Sequence, residues 1–160
     1  MKKHGVVIVL IFAFSLLMVA FAGAGTAPAE DLPGYDEAYG AAMGGALYNT
    51  QVIIGITADA FAKDVYNKDE AKDIITEQKS LIGVHDNYIG KLLKKASVTK
   101  EDKESLNSMS ACIAKLNVTA DALLAYFVNP TESNADDFQT KRKASYAAIE
   151  KLLGINQEKK

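Results

Sequence analysis

The sequence predicts an all-α fold: an antiparallel up-down-up-down four-helix bundle, with the marks of a duplicated helical hairpin and an N-terminal signal peptide ahead of it. Three observations carry that prediction. Apolar residues past position 36 recur at steps of three and four, never in the strict alternation of a strand. Short polar interruptions between the apolar stretches carry the residue types that start helices. The first thirty residues join a charged start to an unbroken apolar run and a small-residue exit.

The leader comes first. Lys2 and Lys3 precede apolar residues from Gly5 to Ala22, and Gly23, Ala24, Gly25, Ala27 and Ala29 follow. Two A-x-A exits are present, after Ala22 and after Ala29. The second leaves a polar, turn-prone start, Glu30-Asp31-Leu32-Pro33-Gly34, and is preferred. Residues 1–29 are thus read as signal peptide, 30–35 as a polar leader, 36–154 as the bundle and 155–160 as a frayed tail. The expected location is outside the cytosol, in a bacterial periplasm or the medium. The same apolar run approaches the roughly 17 to 25 residues that span a bilayer, so an uncleaved anchor through residues 5–22 is the alternative.

The first helix is expected from Asp36 to Tyr66. Asn67-Lys68-Asp69-Glu70 then reads as a capping box, with Asn67 accepting from the new helix and Glu70 reaching back. The second helix runs to Ala96 along the line Ala71, Ile75, Gln78, Ile82, His85, Ile89, Leu92. Thr99 and Asp102 repeat the cap logic for the third, whose line is Leu106, Met109, Ile113, Leu116, Ala120, Leu123, Phe127 and which stops at Val128 before Asn129-Pro130. Ser133 to Asp136 is expected to open the fourth, with Phe138, Arg142, Ser145, Ile149 and Leu152 inward and Gly154 as a left-handed stop. Loops this short set consecutive helices antiparallel. The repeat shows as Ile56-Thr57-Ala58-Asp59-Ala60-Phe61 against Val118-Thr119-Ala120-Asp121-Ala122-Leu123, and as Ile89-Gly90-Lys91-Leu92-Leu93 against Ile149-Glu150-Lys151-Leu152-Leu153.

Charge and cysteine content exclude several functions. Losing Lys2 and Lys3 with the leader leaves 16 of the 18 basic residues against 20 acidic ones. A mildly acidic chain gives no support for nucleic-acid binding or docking on anionic lipid. Cys112 is the only cysteine, so no intrachain disulfide forms, and C-x-x-C-H, the usual attachment motif of c-type haem, is absent. G-x-S-x-G, a phosphate loop, H-E-x-x-H and the paired E-x-x-H of di-iron bundles are also missing. Asp86 adjoins His85 and points about 100° away on a helix, so Ser110, His85 and Asp86 make no triad. The chain is read as non-catalytic.

Three polar or aromatic groupings remain as candidate sites. Matching heights across the turns sets Asn49, His85 and Ser110 at one level, either a satisfied polar layer or a ligand site. Bundles hold haem between facing helices, so a b-type haem on His85, with Met109 or Met43 as second ligand, is the cofactor alternative. For zinc, only His85 and Cys112, with Met109 weaker still, offer soft ligands, too few for a site. Asp59 is expected to pair with Lys63 one turn on, and Asp121 with Arg142, the only arginine. Tyr39 and Tyr48 flank the small stretch Ala41 to Ala46, and height-matching sets Tyr88 opposite, so these rings either line a pocket or fill the space the glycines leave. The functional expectation is an exported binding or accessory protein for a small molecule or protein. A haem-binding electron carrier and a membrane-tethered sensor or scaffold module are the alternatives.

Overall fold

Four helices account for almost all of the chain that the computed structural model describes, residues 35–155, with side chains from Tyr39 onward. They are α1 (Tyr35–Ala62), α2 (Lys68–Leu93), α3 (Lys100–Val128) and α4 (Glu132–Leu153), and there is no strand among the described residues. The fold is all-α. The expected signal peptide, the polar leader up to residue 34 and the tail from 156 lie outside the described residues.

The helix starts follow the sequence signals at two of three turns. Asn67 Oδ1 accepts from the Asp69 and Glu70 amides, both at 3.0 Å, while Glu70 accepts from the Asn67 amide at 2.9 Å. Thr99 and Asp102 make the same reciprocal box at the head of α3. These contacts satisfy amides that the first turn leaves without helical partners. The fourth helix starts earlier than expected. Thr131, not Ser133, is its cap, accepting from the Asn134 amide at 3.3 Å, and the Asn134 side chain donates back to the Asn129 carbonyl at 2.8 Å.

The first helix ends four residues before the expected Tyr66. Asp64 takes a left-handed φ of 54°, and the Val65 amide reaches back to the Ala60 carbonyl at 2.9 Å. The Asp64 amide donates to the Phe61 carbonyl at 3.1 Å, completing a Schellman stop with aspartate where glycine is usual. Gly154 closes α4 in the same way at φ 67°, as its position suggested.

Contacts give the helix directions. Tyr48 meets Tyr146, Gln51 meets Ser145 and Gly55 meets Arg142, so α4 runs back along α1. Phe61 meets Phe127, and Gly40 lies near Met109, so α1 and α3 run the same way. Short turns join α2 to α3 and α3 to α4, and both pairs pack along their length. The core holds Leu47 and Ile54 of α1, Ile75, Ile82 and Ile89 of α2, Ile113, Leu116, Leu123 and Phe127 of α3, and Phe138 and Ile149 of α4. Burying such side chains contributes about 1.5–3 kcal/mol each before chain entropy is counted. Helix α3 is long and apolar enough to cross a membrane by length and composition, yet its apolar line faces the other three helices.

Candidate functional site

The buried polar centre of the bundle is not the layer that height-matching suggests. Asn49 is exposed, and His85 and Ser110 are half-buried. Height-matching fixes a level along the axis and says nothing about azimuth. Asn49 stands about 200° around α1 from both Leu47 and Gln51, which face inward. His85 has no hydrogen-bond partner among the described residues, and burial lowers its pKa from the ordinary imidazole value.

The groups that do meet are Gln51 of α1, Thr119 of α3 and Ser145 of α4, all at most 1 % exposed. Ser145 donates to Gln51 Oε1 at 2.8 Å, and Gln51 Nε2 donates to the Arg142 carbonyl at 3.2 Å. Thr119 carries one proton with two acceptors in reach: the Lys115 carbonyl at 2.8 Å and the Ser145 hydroxyl at 3.2 Å. Three helices are thus joined through side chains that satisfy one another. Among the described residues no buried side-chain nitrogen or oxygen lacks a partner. Ser145 was visible as a polar residue on the inward line of the fourth helix. Gln51 sits beside an apolar run, and no spacing signal marked it.

The expected Asp121–Arg142 bridge is replaced by two others. Asp121 of α3 pairs with Lys79 of α2, and Arg142 of α4 lies 3.6 Å from Asp59 of α1. Arg142 is carried to the α1 side by Gly55: a Cβ there would stand 2.5 Å from Nη2 and 3.0 Å from Cζ. The bare backbone is the channel along which the guanidinium runs. Asp59 therefore meets Arg142 rather than Lys63, which falls beyond the end of α1.

The tyrosines also regroup. Tyr48 faces Tyr146 of α4, with hydroxyls 3.0 Å apart and ring centroids at 5.8 Å in an edge-on arrangement. That hydrogen bond is the main reason the Tyr146 pKa is raised from 10.0. Tyr39 packs against the core, whereas Tyr88 is exposed and so does not complete a ring around the small stretch. Met43 is buried, and a Cβ on Gly44 would collide with Leu153, so this glycine marks close helix contact. Cys112 is a free, buried thiol, and desolvation raises its pKa. Met109 is also closed into the core. Among the described residues no three His, Cys, Asp or Glu side chains converge as a metal site would need.

No protein-family model, curated protein or solved structure matches this chain.

One surface stands apart. On α2, Leu81, Val84 and Tyr88 are 47 %, 50 % and 59 % exposed, and their spacing sets them on one line of the helix. The remaining exposed large apolar residues are spread over α1, α3 and the turns. The sequence held this line in plain view, parallel to the inward one. Periodicity does not single it out, because the inward line already accounts for the helix.

Proposed function

We propose that the chain is a small exported helical-bundle protein that acts without catalysis, as a binding or accessory factor, through the outer face of α2. The observation that carries this reading is a contrast. Polar groups in the core are engaged with one another, while Leu81, Val84 and Tyr88 hold apolar area in water. Leaving three such side chains exposed on one line forgoes stability that burial would give, which favours a surface kept for contact.

The up-down-up-down hairpin duplication belongs to the same reading. Thr57 and Thr119 are both buried, and each donates to the carbonyl four residues back at 2.8 Å. Asp59 and Asp121, two residues further on, both reach a basic residue of another helix. Ile89 and Ile149 are both 1 % exposed. The offset that relates them lays His85 over Ser145, and the offset between the threonines lays Ile113 over Gln51. An isoleucine in place of the glutamine leaves the imidazole without the counterpart that Ser145 has. The second reading, a membrane-tethered module, is favoured by the apolar run from Gly5 to Ala22.

The test uses cells expressing the whole 160-residue sequence. The proposal expects material outside the cytosol whose N-terminal sequencing starts at Glu30. It also expects that adding haem gives no Soret band that His85→Ala removes. A cytosolic product with an intact leader, or a His85-dependent Soret band, overturns it. A product outside the cytosol that keeps residues 5–22 selects the tethered module.

A further inference from the structure

From the outer line of α2 we infer that its occupant is a second copy of the same chain, packed antiparallel across a two-fold axis through Val84. The inference rests on the reading that this face is the working surface, and it adds the partner. The line carries Asp73, Glu77, Leu81, Val84, Tyr88 and Lys91, all exposed. At 100° per residue these six fall within about 80° of one another, on the side away from buried Ile75, Ile82 and Ile89.

The order of these residues is what names the partner. Acidic groups occupy the N-terminal end, apolar groups the middle and a lysine the C-terminal end, with Lys95 continuing the positive charge past the helix. Glu77 and Lys91 each lie seven residues from Val84, a rise of about 10.5 Å. Turning a second α2 by 180° about Val84 therefore sets each Glu77 against the other copy's Lys91, and each Asp73 towards the other Lys95. The same rotation places Leu81 and Tyr88 on either side of the opposing Val84. A parallel pairing in register would instead set like charges together, so the sequence of charges selects one orientation. Lys91 Nζ already lies 5.6 Å from the Tyr88 ring centroid, which holds the cation at the edge of the apolar patch. A contact that repeats one patch on both subunits is the isologous kind that closes as a dimer. One helix face per subunit is a small interface, of the transient class that buries less than about 1,200 Å².

Sedimentation equilibrium decides it. The protein is purified from cells expressing the full sequence, in detergent if it stays with the membrane, and loaded over a range reaching millimolar. The weight-average mass rises from one chain toward two with loading, and less so at high salt. Glu77→Lys and Lys91→Glu each weaken the dimer about tenfold or more, because each reversal turns two attractive pairs into repulsive ones. The double variant Glu77→Lys/Lys91→Glu recovers most of the lost affinity. Both positions are exposed, and far-ultraviolet circular dichroism confirms that each variant keeps its helices. A chain that stays monomeric at every loading overturns the inference, as does a dimer indifferent to the reversals or one the double variant fails to restore. So does a monomer whose α2 face binds phosphatidylglycerol vesicles instead. None of these results bears on N-terminal processing or the haem titration, so this inference can fail while the proposed function stands.

Discussion

The Ser145 hydroxyl touches two other helices, and its removal is the sharpest test of how the interior is held. Ser145→Ala leaves Gln51 Oε1 without its donor in a site closed to water. The expected loss is about 1–3 kcal/mol in urea unfolding, against less than about 0.5 kcal/mol for Ser80→Ala on the exposed side of α2. Tyr146 gives a test by pH. Its hydrogen bond with Tyr48 favours the protonated phenol, so the folded-state pKa lies above the unfolded value of about 10. The stability it contributes is fully present below that unfolded value and is lost as pH rises through the folded one. Tyr48→Phe should return the Tyr146 titration toward ordinary tyrosine, read by the ultraviolet absorbance of tyrosinate. At this scale the sequence was only partly legible. Ser145 and Arg142 stood on the inward line of their helix, but which partner each reaches depends on azimuth and on a single glycine, Gly55, that lets a guanidinium through.

Helix starts were more legible than helix ends. Asn67 and Thr99 announce their caps because the reciprocal contact lies within four residues of sequence. Helix α1 gave no such notice of its end, since Asp64 occupies the left-handed position that glycine usually marks. Asp64→Gly should therefore stabilise the bundle by up to about 1 kcal/mol, and Gly154→Ala should destabilise it by about the same, both read from the denaturation midpoint. The ion pairs report which helices are neighbours. A double-mutant cycle on Asp59 and Arg142 should give a coupling of a few tenths of a kcal/mol, as their exposure implies, and one on Asp121 and Arg142 should give none. Coupling between Asp121 and Arg142 would show that this side chain turns to α3 rather than reaching Asp59 of α1.

For the whole molecule, fold class was readable from periodicity alone, because the apolar lines past position 36 have the helix period and none alternates as a strand would, so the helices have only one another to bury against. The outer apolar line of α2 was harder to see. A second apolar line on α2 reads as ordinary surface until burial shows which line the core takes. The proposed function and the proposed dimer together require this line to be covered once the bundle is outside the cytosol. Reactivity of engineered cysteines tests that most directly, because Cys112 is buried and raised in pKa, leaving it slow to react. Val84→Cys and, as an exposed control on α3, Ala114→Cys are treated on intact cells with a small membrane-impermeant maleimide. Prompt labelling is expected at 114 and measurably slower labelling at 84, with both reacting alike after denaturation. Equal labelling at the two positions would contradict a covered α2 face, and no labelling at either, on the cells or in their medium, would contradict export.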